Sequence, residues 1–405
     1  MIAIAVVLTV VVAAAALLRP GLRASPRWRA TVTPLASIIG SGFLVVTPLL
    51  AAVVGSWAPV AMAGVVAVAH WVGAAMRLVI AEVEPRLEKT DPSRILVDLD
   101  RLSRLLLSFA YVVSVAFYLR LMSSFVLRSV TDDPRAAQVL TTMVLVGIGA
   151  VGWRRGLHGL EALEEVAVGI KLSIIASLVV ALLAFDLGDP GAVVDAYRTA
   201  QIEWGGWDAV RVLAGMLLVV QGFETSRYLG AHYDAPTRIA SMRRAQLISA
   251  AIYLVFVALS VRVFDALPST VQETAILDVA GEMTVVLVPL LVVAAVASQL
   301  SAAIADTAGG GEMLAGAIPR MSSAGVGYVA VTGSAVAVVW LADVFAIVSL
   351  ASRAFAAYYL VATMMLLVVL IRDRSVPRRT ARLAGFGTLA VLLGLVVVFA
   401  IPAGS

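Results

Sequence analysis

Cysteine is absent from the 405-residue chain. That excludes a disulfide framework, a thiol nucleophile and any zinc–thiolate site. Histidine occurs only as His70, His158 and His232, too scattered to form a metal cluster, and no metal ligand set is read from the chain. Charge is also scarce: Asp, Glu, Lys and Arg together make 14% of the residues, where a soluble domain has roughly 25%. Neither an HExxH sequence nor a plausible acid dyad occurs, so an intramembrane enzyme is not expected, and no cofactor motif is present.

What fills the chain instead is apolar. Hydrophobic residues make 61% of it and the mean hydropathy is +1.00. Apolar runs of about twenty residues recur from end to end, each long enough to cross roughly 30 Å of hydrocarbon as a helix. The expected spans fall near 1–18, 33–55, 57–83, 104–128, 137–153, 160–186, 208–227, 245–265, 282–306, 325–341, 343–371 and 384–402. Gly, Pro and charge clusters such as Arg19-Pro20-Gly21, Asp189-Pro190-Gly191 and Arg374-Ser375-Val376-Pro377 separate them. The first segment lacks a basic leader and carries its positive flank on the C-terminal side, so a retained helix is favoured over a signal peptide.

The net charge of +4 and the pI near 9.6 do not point to nucleic acid, because the placement of charge is orderly. With loops alternating sides, one set holds Arg19 to Arg29, Arg86 to Arg104, Arg154 and Arg155, Arg227 to Arg244, Arg320, and Arg372 to Arg382. The other set holds only Arg128, Arg135, Arg198 and Arg262, among acids such as Asp132, Asp133, Asp186, Asp189, Asp265 and Glu273. The positive-inside rule makes the first set cytoplasmic and puts both termini outside the cytoplasmic (inner) membrane.

Two spans contain glycine where a helix should be uniform. In the second, Ile38-Ile39-Gly40-Ser41-Gly42-Phe43 invites unwinding, which would aim amide N–H groups at a carboxylate; close packing through small residues is the alternative. Five spans later, Gln221-Gly222-Phe223-Glu224 places a carboxylate inside an apolar run, with a Glu224–Arg227 pair at i, i+3 as the bland reading. Five-span spacing and opposite direction are what inverted repeats around a midplane site would give.

These same residues carry a family resemblance. Gly40-Ser41-Gly42-Phe43 resembles the Gly-Ser-Gly substrate signature of the amino acid–polyamine–organocation (APC) superfamily. Gly222-Phe223-Glu224 resembles the Gly-Phe-Glu of its sixth core helix, and Asp234-Ala235-Pro236-Thr237-Arg238 the loop that follows. The resemblance covers about residues 31–372. The chain departs from the pattern by lacking a glutamate near His232 and a proline shortly after Arg238, and by carrying a helix before the core.

The resemblance implies an all-α polytopic membrane protein of about twelve transmembrane helices, with a LeuT-like 5+5 inverted repeat and one extra helix at each end. Residues 1–30 would form the extra N-terminal helix and linker, 31–187 the first repeat, 188–372 the second, and 373–405 the extra C-terminal helix. The expected function is a secondary active transporter of a small carboxylate-bearing solute, an amino acid or related amine, working by alternating access. An inorganic ion or metal transporter on the same scaffold and a non-transporting sensor or partner subunit are the alternatives.

Only two lysines occur, Lys89 and Lys171, and the second lies inside a span. A lysine, unlike an arginine, can lose its proton when buried, though a position near the helix end also allows its ammonium to snorkel to the interface. In sodium-independent members of the superfamily, a lysine in this helix resembles a tethered cation in place of a sodium ion. The expected substrate residues are therefore Ile39, Gly40, Ser41, Gly42, Gln221, Gly222, Phe223 and Glu224, joined by Tyr111 and Tyr118 on one helix face. The coupling residues are Lys171, Glu224, Ser298 and Ser301, with a proton as the coupled ion and sodium the alternative.

Other features carry weaker expectations. Residues 92–104 read as a separate surface helix, Gly309-Gly310-Gly311 as a helix stop or hinge, and residues 191–207 as a lid-like helix ending in Trp204-Gly205-Gly206-Trp207. Arg353, deep in its span, needs a partner, for which Glu224 is one candidate.

Overall fold

A computed structural model describes residues 2–131, 133–157, 161–199, 206–267, 272–318 and 323–402, except the side chains of Ser41, 161–165, Leu218, Ala231 and Ala317. Asp132, His158, Trp204, Gly205 and Arg320 lie outside the described residues, as does the side chain of Ser41.

Among the described residues there is no strand. In chain order the helices are α1 (Ile2–Leu17), α2 (Pro26–Val54), α3 (Ala58–Leu78), α4 (Arg94–Leu127), α5 (Pro134–Arg155), α6 (Glu161–Gly188), α7 (Pro190–Thr199) and α8 (Trp207–Gly215). They continue with α9 (Thr225–Tyr228), α10 (Ala235–Ser260), α11 (Ile276–Met283), α12 (Leu287–Ala317), α13 (Ala324–Leu341), α14 (Val344–Arg372) and α15 (Arg379–Phe399). Nine described helical stretches are long and apolar enough to cross a membrane, the first of them divided by the Gly55–Trp57 turn into α2 and α3. Backbone amides have no water to bond in hydrocarbon, so helices are the form these apolar runs must take.

The helix ends follow from local chemistry. The Asp133 carboxylate accepts from the amide of Arg135, Asp234 from that of Thr237, and Asp343 from those of Phe345 and Ala346, each capping a helix that would otherwise begin with bare N–H groups. Pro26, Pro134 and Pro190 occupy first helical positions, where a missing N–H costs nothing. Gly55 and Gly156, both at positive φ, end α2 and α5.

Helix α4 is the axis of the bundle. Every residue from Ala110 to Ser123 is buried, polar Ser114 and charged Arg120 included, and α4 packs along α12 and α14. A helix buried all round belongs at a core. Helices α5, α13 and α15 lie at the periphery and expose apolar side chains such as Met143, Val146, Val391 and Val398, as a lipid-facing surface requires. The N-terminal α1 packs along α6, where Gly169 gives the Leu18 side chain room.

Three expectations are corrected. Residues 92–104 do not form a separate surface helix, since α4 runs unbroken from Arg94 for 34 residues. Its first turns carry Asp100, which is needed inside and keeps the segment in register with the span. Gly309, Gly310 and Gly311 are not a stop or hinge. Helix α12 continues to Ala317, and these glycines make room for neighbours: a Cβ on Gly310 would lie 3.3 Å from Tyr111 Cβ, and one on Gly311 2.8 Å from the Tyr328 amide nitrogen. Arg353 does not reach Glu224; it faces outward and donates from Nε to the Val397 carbonyl near the end of α15 at 2.7 Å.

Candidate functional site

The segment expected to be interrupted at Gly222 is interrupted. Helix α8 ends at Gly215, a 3-10 turn covers Leu217–Val220, residues 221–224 are non-helical, and α9 resumes at Thr225. Gly222 holds φ of +117°, a conformation that an L side chain rarely adopts. A Cβ there would lie 2.7 Å from the Ile38 amide nitrogen and press on Ser37 Oγ. Glycine is therefore required twice at this position, by conformation and by space.

The expected interruption at Gly40–Gly42 is absent, since α2 is helical from Pro26 to Val54. The reason is close approach. A Cβ on Gly42 would meet Val219 Cα at 2.6 Å, so this glycine lets α2 lie directly on the turn before the break. No amide of α2 is freed in this conformation, and the small-residue packing alternative describes what the glycines do here.

Helix α2 is instead gripped through its carbonyls. Lys171 Nζ donates to the Ala36 carbonyl at 2.5 Å and to Ser298 Oγ at 3.3 Å. The Tyr253 hydroxyl lies 3.1 Å from the Ile38 carbonyl oxygen and 2.6 Å from that of Val219, on the two sides of the crossing. Gln299 Nε2 donates to the Gly40 carbonyl at 2.8 Å. Donors from α6, α10 and α12 thus meet three carbonyls of α2 between Ala36 and Gly40. Lys171 is buried and points inward, which removes the snorkelling reading.

Around the break the polar side chains are equally ordered. Glu224 is fully buried, and its Oε2 accepts from the Tyr359 hydroxyl at 2.6 Å and from the Gly222 amide at 3.0 Å. Among the described residues its Oε1 has no hydrogen-bond partner. The Phe223 and Tyr359 rings stack with centroids 5.3 Å apart, and Gln221 Oε1 lies 3.5 Å from the Tyr359 hydroxyl. Tyr111 and Tyr118 are both buried, and Tyr111 packs edge-on against Phe355. Ser114, between them on the same face, donates to Asp306 Oδ2 at 2.7 Å.

Below this level a cavity of about 20 Å³, room for one water, is lined by Ser37, Thr225, Ser298, Ser301 and Asp306 among others. The expected coupling residues Ser298 and Ser301 therefore border one space, together with Asp306. Ile39 is buried within α2, and nothing connects it to that space.

The Glu224–Arg227 pair does not form. Arg227 turns to the arginine-rich end, where Nη2 donates to Asp100 Oδ1 at 2.7 Å and Nε lies 3.6 Å from Glu84. Asp100 also receives Arg104 at 2.8 Å, and Glu84 receives Arg238 at 2.7 Å. Arg238 closes the cluster by donating to the Arg227 carbonyl. Arg86 reaches across to Asp373, and Arg372 to Ser93 at 2.6 Å. This network ties residues 84–86, which follow α3, to α4, α9, α10 and the end of α14. Sequence reasoning missed Asp100 and Glu84; the available signal was an acid at i, i+4 from Arg104 at the foot of an apolar run.

A fully helical membrane bundle with one broken segment at its centre, a buried carboxylate at the break and a buried ammonium on the facing helix defines a membrane transporter of LeuT-like fold. The chain matches the family described as APC superfamily transporter over residues 20–400. It belongs to that superfamily. An uncharacterized protein of Aquifex aeolicus (strain VF5) is 42% identical over 353 residues, covering 86% of this chain and 85% of the other. Among solved structures, a Na+-coupled sialic acid symporter in a substrate-bound outward-open state shares the fold, with a TM-score of 0.53, 15% identity, and coverage of 99% of this chain and 98% of that one.

Proposed function

We propose that the chain is a secondary active transporter that moves an amino acid or related amine across the cytoplasmic membrane by alternating access, with a proton as the coupled ion. The observation that carries the reading is the orphaned Glu224 Oε1, buried beside the Gly222 break. A buried carboxylate oxygen without a donor is costly, and a solute ammonium or a proton is what satisfies it. Tyr359 and the Gly222 amide fix the other oxygen, so Oε1 keeps one direction.

The carboxylate of the solute would bind amides around Gly40, Ser41 and Gly42 once α2 opens there. Two glycines weaken the helix in that segment, by about 1 kcal/mol each relative to alanine. The grip of Lys171 on the Ala36 carbonyl would then be the coupling contact. Loss of the proton removes both the charge and a donor, and loosens α6 from α2. An ammonium at this position supplies a fixed cation, which favours a proton over sodium as the coupled ion. The two broken-helix halves would come from repeats spanning 31–187 and 188–372, with both termini outside.

Purified protein in liposomes tests the proposal, by pH-gradient-driven uptake of a radiolabelled panel of amino acids and amines. Uptake of at least one member, abolished by collapse of the gradient, is the expected result. No uptake of any member together with tight binding of a divalent ion would replace the proposal with the inorganic ion reading.

A further inference from the structure

A second cavity lies away from the break. It has a volume of about 480 Å³ and opens at the end of the bundle opposite the arginine-rich loops. Its walls come from the last turns of α4, the start of α5, residues 272–274 before α11, and the start of α14. Neither Glu224 nor Lys171 borders it.

Its walls carry two guanidinium groups, Arg120 and Arg128, and three carboxylates, Asp133, Glu273 and Asp343. Arg128 is paired with Asp278, both carboxylate oxygens lying 3.2 Å from its Nη2. Asp133 and Asp343 spend their carboxylates capping α5 and α14. Glu273 accepts from the Ser124 hydroxyl through Oε1 at 3.0 Å. Arg120 is different: it is only 6% exposed, lines the cavity, feels the charge of Glu273, and among the described residues has no hydrogen-bond partner at Nε or Nη1. A buried guanidinium is normally paired, because removing it from water without a partner is costly. Its planar fork matches a carboxylate through two parallel N–H···O bonds.

We infer that this cavity is a binding site for a small carboxylate, held by Arg120 and separate from the Glu224 centre. The wall carboxylates exclude a multiply charged anion, and Glu273 beside the site admits a zwitterion. A carboxylate there would complete the one guanidinium on the wall whose hydrogen bonds are unmade.

The cysteine-free chain supplies the test directly, because a single introduced thiol is the only one present. A Leu127→Cys variant, with its thiol on the cavity wall, is labelled by an anionic and by a cationic methanethiosulfonate reagent. The ratio of anionic to cationic labelling rate is the readout, and Arg120→Gln should lower it roughly three- to tenfold while Arg120→Lys retains most of it. Acetate and glycine should slow labelling in the Leu127→Cys background, with chloride at equal ionic strength ineffective, and Arg120→Gln should abolish the protection. Labelling insensitive to acetate and glycine, protection that survives Arg120→Gln, or equal protection by chloride would each overturn the inference. None of these readouts depends on transport, so failure here leaves the proposed function standing and the reverse also holds.

Discussion

The ammonium of Lys171 on α6 lies 2.5 Å from the carbonyl oxygen of Ala36 on α2. The contact lies one helical turn before Gly40, on the element whose packing brings Gly42 against Val219 and Ser37 against Gly222. A cation in the middle of one helix therefore holds the backbone of the helix that crosses the break.

Glu224→Gln keeps the size of the side chain but replaces the carboxylate. If Oε1 receives the solute ammonium, affinity should fall about tenfold to a hundredfold, the range of a lost charge-assisted hydrogen bond of 1.5–3 kcal/mol. Tyr359→Phe, which only removes the donor holding Oε2, should weaken binding less. Scintillation proximity binding of a transported solute checks both, and equal effects would remove Glu224 from direct contact.

Gly222→Ala should destabilise the fold and abolish uptake. A side chain must tolerate φ of +117° and displace α2 at Ser37 and Ile38. Backbone strain alone costs about 1–3 kcal/mol. Gly316→Ala, with open space around the Cβ position, serves as the control and should leave the unfolding temperature in detergent unchanged.

The arginine-rich end should respond unevenly. Asp100→Asn removes the charge facing buried Arg227, and breaking a buried pair costs about 3–5 kcal/mol. Arg104→Ala touches the same carboxylate from a half-exposed position and should cost about 0–1 kcal/mol. Thermal unfolding of the two variants separates the roles. A comparable loss in both would mean that the buried ion pair contributes little.

Asp373, in the loop between α14 and α15, is held well below the usual carboxylate range by hydrogen bonds from Ser375 and then by Arg86. A depressed carboxylate stabilises the fold above its unfolded value of about 3.9, and that contribution disappears as the pH falls through the folded value. Asp373→Asn should therefore lower stability by the same amount at pH 5 and at pH 8. Its effect should shrink only in more acidic buffer, as followed by thermal unfolding across pH.

The helical membrane fold was largely legible before the structure, because apolar runs of membrane length leave few other arrangements. The Gly222 break was legible for a similar reason: a glycine preceded by Gln and followed by Phe and Glu has no purpose in a uniform apolar helix. Gly40-Ser41-Gly42 was misread as a break because glycine serves unwinding and close approach alike, and only the position of Val219 distinguishes them. Gly309 to Gly311 misled in the same way, with Tyr111 and Tyr328 the hidden neighbours. Asp100 and Glu84 could not be assigned from sequence, since their partners Arg227 and Arg238 are brought to them by tertiary packing across more than a hundred residues.

The most direct test of the account is uptake into liposomes by Lys171→Gln and Lys171→Arg, measured with and without an imposed pH gradient. The account predicts that Lys171→Gln folds yet loses gradient-driven uptake by at least about tenfold, a barrier change of roughly 1.4 kcal/mol. Lys171→Arg, permanently charged, should bind solute without responding to the gradient. Gradient-driven uptake at the parent rate in Lys171→Gln would contradict a coupling role for the Lys171–Ala36 contact.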